Sequence, residues 1–352
     1  MTNAANSQQN ANVEKVFGNG STGRKIIFSG IKPTGIPTLG SLLGAMSHWE
    51  RLSSEYNCLY CVVDLHAITI RQEPEVLREN GRNLLAWLIA LGLDPEKNIL
   101  YFQSHVPAHA ELAWILNCYT HVGELNRMTQ FKDKSAKNAK NINAGLYTYP
   151  VLQTADIVLF QADLVPIGED QRQHLELCRD VAGRFNSVYG KNGDIFTLPE
   201  AFVPPVGARI MSLQNPADKM SKSDDNSNDC IYLSDEPDVI IKKFKRAVTD
   251  SDNQIRMSAD KPGISNLLTI YSCITGKTAA NCEAEFANSG YGQFKQAVGE
   301  AVAEKLRPYQ QEYARLTSDP SYLDTVAKTG AAKAAEMAAP TLAKVKEVIG
   351  FC

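Results

Sequence analysis

Three short apolar runs, Lys25-Ile26-Ile27-Phe28, "CLYCVVD" at 58–64 and "ILYFQ" at 99–103, restrict most strongly how this chain can fold. Each has the length of a strand, and each is followed by residues with helical spacing. Leu39, Leu42, Leu43, Met46, Trp49 and Leu52 recur at three and four after the first, and Leu77, Leu84, Leu85, Leu88 and Leu91 fill a helix at 75–92 after the second. A helix at 107–118, opened by Pro107, follows the third. Strands joined by crossover helices pair in parallel, so the alternation predicts an α/β fold: a sheet covered on both faces, with its ligand crevice at the strands' carboxyl ends.

Further on, 132–145 reads as a polar basic insertion, "YPVLQTADIVLF" at 149–160 as a helix, and "DLVPIG" at 163–168 as a buried strand. That strand leads into a helix whose early Glu169 and Asp170 suit a positive N-terminus. After Lys222 the alternation stops and Ile240, Ile241, Phe244 and Val248 recur at helical spacing, which places a domain change near 226–235. The Ala- and Lys-rich stretch 331–349 predicts an amphipathic helix. The first 23 residues, rich in Asn, Gln, Ser, Thr and Gly, are expected to be a disordered tail.

A chain of 352 residues, 44% hydrophobic and 21% charged, has room for two domains and a substantial core. Its net charge of −3 requires any polyanion to be met by a local basic face. It has no run of about 18 apolar residues and no secretory leader pattern, so a cytoplasmic protein without a membrane span is expected. Eight scattered cysteines suit free thiols in a reducing compartment. Cys58 and Cys61 form a C-x-x-C without a second pair, and read as buried strand thiols; His105 and His109 straddle Pro107 and should not share a helix face. No protein-bound metal is expected.

Two segments carry chemistry. In "GIKPTGIPTLGSLLG" at 30–44, a Gly/Pro turn leads from the first strand into a helix that Thr38 or Ser41 can cap, where backbone N–H groups favour an anion. Gly35 and Gly40 have the spacing of a nucleotide-binding P-loop, but Ser41 and Leu42 stand where that loop needs Lys and Ser or Thr. A triphosphate at this turn therefore needs cations from elsewhere. "DKMSKSDDN" at 218–226 has the composition of a solvated loop, yet Lys219 and Lys222, threaded with Ser221 and Ser223, could close over such a group.

Together these segments resemble the two signatures of class I aminoacyl-tRNA synthetases, the first as a variant of the family's His-Ile-Gly-His. "VDLHAIT" (63–69), "GELNRMTQFKDKSA" (123–136), "AGLYTYPVLQTADIVLF" (144–160), "VPIGEDQRQH" (165–174), "GARIMSL" (207–213) and "RAVTDS" (246–251) extend the likeness to bacterial-type tryptophanyl-tRNA synthetases, from about residue 25 onward. The resemblance implies a Rossmann-like parallel-sheet catalytic domain at 24–228 with a dimer-interface insertion at about 105–160. It further implies a helical anticodon-binding domain at 229–335 and a C-terminal helix at 336–352 packing back on the body. Implied too are activation of tryptophan by ATP with Mg2+, transfer to tRNA(Trp), and a homodimer.

By the same resemblance, Lys32, Pro33, Thr34, Thr38, Gly40, Ser41, Gly168, Glu169, Asp170 and Ile210 form the ATP site with Lys219, Met220, Ser221, Lys222 and Ser223. Lys134, Lys219 and Lys222, with Thr38, serve catalysis. Asp156 accepts the indole N–H, a role suited to a donor-only ring. Phe28, His66, Val165 and Ile167 build the pocket with Gln153, while Tyr149 and Gln171 hold the ammonium group. Lys32, Ser41 and Gln153 depart from the usual Gln, Asn and Met; Gln153 is expected to bond Asp156 or the ligand. Lys242, Lys243, Lys245 and Arg246 cluster where either a solvated face or a tRNA contact fits. Cys230, Cys273 and Cys282 lack the spacing of an iron–sulfur site. A tyrosine-specific relative, a non-catalytic tryptophan- or tRNA-binding paralogue and another adenylyl-transferring enzyme are the rival readings.

Overall fold

A computed structural model describes residues 13–18, 21–44, 49–131, 142–168, 171–191, 193–202, 209–220 and 226–351. Strands β1 (Ile26–Ile31), β2 (Asn57–Val62), β3 (Ile99–Phe102), β4 (Leu164–Pro166) and β5 (Glu200–Phe202) form one sheet in the order β3-β2-β1-β4-β5. Every neighbouring pair is parallel; Ile26 faces Asn57 and Ile27 faces Leu164. The sequence reading missed β5, a three-residue edge strand with no apolar run to announce it.

Period-2 alternation sends consecutive strand residues into different cores. Ile27, Cys58, Tyr60, Val62 and Leu100 enter one, and Ile26, Phe28, Leu59, Cys61, Ile99 and Tyr101 the other. β2 is buried at every residue, as a strand covered on both faces must be. Cys58 and Cys61 are fully buried on opposite faces of it and cannot share a ligand.

The crossover segments are α1 (Leu39–Gly44) and α2 (Trp49–Glu55), then α3 (Asp64–Ala67) and α4 (Pro74–Ala90). Met46 lies outside the described residues. After β3 a turn of 3-10 helix at Gln103–His105 leads to α5 (Ala108–Asn117), α6 (Val122–Asn126) and α7 (Ala144–Val158); α8 (Arg172–Tyr189) follows β4. α7 begins earlier than the 149–160 reading, because the Asn143 side chain accepts the Leu146 N–H at 3.0 Å and Pro150 is carried inside the helix. Of the basic insertion, 132–141 lies outside the described residues.

The helical half comprises α9 (Pro237–Arg246), α10 (Pro262–Thr275), α11 (Ala279–Glu285), α12 (Tyr291–Ser318) and α13 (Pro320–Ile349). Its Phe244, Leu268, Phe294 and Leu306 share one hydrophobic core with Leu84 and Leu88 of α4, so architecture changes near 226–235 without a break in the core. α13 is continuous, and its Ala331, Ala334, Ala338 and Val345 pack in the core on the opposite face of the sheet. A Cβ added at Gly330 would stand 1.8 Å from the Leu100 carbonyl oxygen, so only glycine lets this helix lie on β3.

The expectation of a disordered tail over 1–23 fails for 13–17, which are helical, with Val13 and Val16 buried in the same core. Lys15 pairs with Glu336 of α13. Two valines spaced three apart were enough to dock the segment, a signal too short for periodicity to register.

Candidate active site

The strand order reverses beside β1, leaving a crevice where β1 and β4 end and their connections diverge. A cavity of about 350 Å³ opens there. Phe28 and Gly30 of β1, Val165 and Pro166 of β4, and Ile167 and Gln171 beyond it line one side. Tyr149, Gln153 and Asp156 come from α7, where spacings of four and three put them on one face. Lys32, Val63, His66, Thr69, Gln130 and Ile157 complete the wall. The structure thus brings Phe28, His66, Tyr149, Gln153, Asp156, Val165, Ile167 and Gln171 to one cavity, with Lys32 at its edge. The sequence reading did not name Gln130, Thr69 or Val63.

Asp156 is the buried charge of this cavity, 1% exposed. Its Oδ1 accepts from His109 Nδ1 at 2.6 Å and from Gln103 Nε2 at 2.7 Å, and its Oδ2 from His66 Nε2 at 2.8 Å. Burial alone would raise its pKa, but the charge and hydrogen bonds of the His109 and His66 imidazoles bring it down to about 2. The carboxylate is therefore anionic near neutrality. Among the described residues Gln153 is not one of its partners, which come from α3, the 3-10 turn and α5, so of the two partners expected for Gln153 the ligand is left. Sequence reading missed Gln103 and His109, because Pro107 argued only that His105 and His109 part company. Tyr149 Oη sits 2.6 Å from His174 Nε2 and donates to Gln130 Oε1 at 3.3 Å.

The β1–α1 turn forms the second part. Thr38 is buried, and its Oγ1 accepts the Ser41 N–H at 3.3 Å and lies 3.3 Å from the Ser41 hydroxyl. The turn is pinned by 231–233, the Leu39 N–H reaching the Ile231 carbonyl at 2.8 Å and the Leu233 N–H the Pro37 carbonyl at 2.9 Å. Lys32 is half-buried, and desolvation lowers its pKa. Pro33 and Thr34 follow it in the same turn; Gly168 accepts the Gln171 N–H at 3.0 Å.

The lysine segment arrives from the other direction on a narrow hairpin. The Ser212 N–H donates to the Asp218 carbonyl at 2.8 Å and the Met220 N–H to the Ile210 carbonyl at 3.0 Å, with Met211 opposite Lys219. Lys219 is exposed, whereas Met220 is buried against the first turn of α1; a Cβ on Gly40 would lie 3.3 Å from the Met220 Cβ. Ile210 carries its side chain into the core, so any contact it makes with a nucleotide is through its backbone. Lys134, Glu169, Asp170, Ser221, Lys222 and Ser223 lie outside the described residues.

The helical half holds both of these segments. Asn266 of α10 pairs its side-chain amide with the Met211 backbone, accepting its N–H and donating to its carbonyl, each at 2.9 Å. Lys243 of α9, grouped by sequence with exposed cations, is instead buried: Nζ donates to Asp235 at 2.7 Å and to the Cys230 carbonyl at 3.1 Å, and lies 4.9 Å from the Tyr232 ring centre. Lys242, Lys245 and Arg246 remain exposed. No sequence pattern announced Asn266, whose partner is a backbone more than fifty positions away.

A family profile described as tRNA synthetases class I (W and Y) matches residues 21–307. A tryptophan–tRNA ligase from Clostridium tetani (strain Massachusetts / E88) is 53% identical over 328 residues, covering 93% of this chain and 96% of that one. The tryptophanyl-tRNA synthetase of Mycoplasma pneumoniae superposes with a TM-score of 0.82 at 35% identity, covering 94% and 98% of the two chains. That of Campylobacter jejuni, solved in complex with ADP and tryptophan, gives 0.81 at 31% identity over 93% and 100%. With a sheet reversing at the cavity and the lysine segment resting on the β1–α1 turn, the chain belongs to the class I tRNA synthetases of the W and Y family.

Proposed function

We infer that this chain is a tryptophan–tRNA ligase: it activates L-tryptophan with ATP and passes the aminoacyl group to the 3′ end of tRNA(Trp). The observation that carries the tryptophan assignment is Asp156, an anionic acceptor buried in the wall of the cavity at the sheet's switch point, where Phe28, Val165 and Ile167 supply apolar surface. Indole N–H is a donor with no acceptor capacity, so a fixed carboxylate recognises it and is left unpaired by phenylalanine. The 53% identity to a tryptophan–tRNA ligase supports this reading over a tyrosine-specific or non-catalytic one.

In the first step a carboxylate oxygen of the amino acid attacks the α-phosphorus, the new P–O bond forms, and the bond to pyrophosphate breaks. No covalent enzyme intermediate is needed, so catalysis is positioning and charge neutralisation. Phe28, Val165 and Ile167 enclose the ring, and Tyr149 and Gln171 hold the ammonium group. Lys32, Pro33, Thr34, Thr38, Gly40, Ser41, Gly168 and Ile210 border the nucleotide, which arrives with Mg2+. Lys219 and, from the sequence, Lys134 and Lys222 neutralise the departing pyrophosphate.

The helical half reads the anticodon, with Lys242, Lys245 and Arg246 offered to the tRNA backbone. The chain works as a homodimer in the cytoplasm; among the described residues no helix is long and apolar enough to cross a membrane. ATP–pyrophosphate exchange with each of the twenty amino acids tests the proposal. Exchange with tryptophan alone is expected, and exchange with tyrosine, or none, sinks it.

A further inference from the structure

Asp156 is the residue through which the cavity is read above, and its bonding is asymmetric. Gln103 and His109 both donate to Oδ1, at 2.7 and 2.6 Å, whereas Oδ2 receives only His66, at 2.8 Å. An ionised carboxylate offers about four lone-pair positions, two on each oxygen. The protein's described residues fill both on Oδ1 and one on Oδ2. Neither Gln103 nor His109 lines the cavity, and both are fully buried; His66 lines it and keeps a side-chain exposure of 12%.

We infer that Gln103 and His109 are the positioning residues of amino-acid selection: by saturating Oδ1 they lock Asp156 so that Oδ2 alone faces the substrate, with one acceptor position for one N–H. This rests on the reading that the cavity takes an indole amino acid, and it names what makes that reading selective. A carboxylate free to turn satisfies itself elsewhere when the substrate has no donor, and a locked one cannot. Tyr101 extends the device inward. Its hydroxyl lies 3.0 Å from His109 Nε2 and fixes the ring so that Nδ1 is the nitrogen that faces Asp156.

The test compares tryptophan with its sulfur isostere, the benzothiophene amino acid, which has the same shape and no N–H. The ratio of their kcat/KM values in ATP–pyrophosphate exchange is measured for the full-length enzyme and its variants, with KM for ATP as control. His109→Leu and Gln103→Leu are each expected to lower the ratio about tenfold or more while KM for ATP stays within about twofold. His109→Asn, which sets an amide nitrogen near the place of Nδ1, is expected to restore most of it. Tyr101→Phe, nearly isosteric and fit for use if the leucine variants fail to fold, should lower the ratio by about threefold. If His109→Leu, Gln103→Leu and Tyr101→Phe keep the wild-type ratio while Asp156→Ala lowers it, the positioning role is wrong and the cavity reading stands. If Asp156→Ala leaves both the ratio and KM for tryptophan unchanged, the cavity reading itself falls and takes the inference with it.

Discussion

Met220 packs on Gly40, close enough that a Cβ on the glycine would meet the methionine Cβ at 3.3 Å. Residues 180 positions apart in the chain are thereby in contact, and the exposed Lys219 is set beside the turn that has Ser41 where a P-loop has its lysine. Gly40→Ala forces that contact to open by a few tenths of an ångström. Steady-state exchange kinetics should show kcat falling about tenfold with KM for tryptophan unchanged, since small misplacements at a reacting centre are costly. An unaltered kcat would mean that the contact carries no catalytic weight.

Asn266 holds Met211, and through it the hairpin that ends in Lys219 and Met220. Asn266→Ala leaves two half-buried backbone groups without this partner, at up to about 1–3 kcal/mol each if water does not replace the bonds. The expected result is a rise in KM for ATP and a fall in kcat, with tryptophan affinity by calorimetry unaffected. Asn266→Asp keeps the acceptor for the Met211 N–H and loses the donor to its carbonyl, so its kinetics should fall between.

The pH dependence of stability follows from Asp156. Its folded pKa of about 2 lies below its ordinary value of 3.8, so the carboxylate binds protons more weakly in the native state. Its contribution, about 2 kcal/mol, is fully present above pH 4 or so and is lost as pH falls from there through about 2. Urea unfolding of wild type and Asp156→Asn is expected to differ most near neutrality, with the gap closing below pH 4. A gap that widened on acidification would contradict the assignment.

Gly330 lies against the Leu100 carbonyl at a distance no Cβ tolerates. Gly330→Ala must push α13 off β3 along a seam that also carries Ala331 and Ala334. The loss in thermal unfolding experiments should reach about 3 kcal/mol or more, the range of overpacked cores. A variant as stable as wild type would show that the helix can slide.

Trp114 on α5 is 72% exposed and Val122 at the start of α6 is 65% exposed. Large apolar groups this open suit the dimer interface proposed above. Trp114→Lys is expected to turn a dimer into a monomer by sedimentation, and a monomeric wild type would remove the premise.

The chain's local order was legible from its residues. β1, β2 and β3, α4 and α5 announced themselves because period and turn chemistry are properties of adjacent residues. The spacing within α7 likewise put Tyr149, Gln153 and Asp156 on one face, and the two polar segments, one short of lysine and one rich in it, were each readable alone. Less legible was whatever depended on weak local signals: the edge strand β5, the docked helical turn at 13–17, and the start of α7 at an asparagine cap.

By itself, then, the sequence determined a parallel sheet crossed by helices, the ends of its strands as the place for a ligand, and the residue types available there. Only the tertiary structure decided which distant groups share a carboxylate. Gln103, His109 and His66 converge on Asp156, and Asn266 on the Met211 backbone, through bonds between residues 47 to 90 positions apart. Such pairings follow from how helices stack on a finished sheet, and a hydrogen bond of this kind leaves no periodicity in the chain that makes it. The same reason buried Lys243, while Lys242, Lys245 and Arg246 beside it in sequence stand in water.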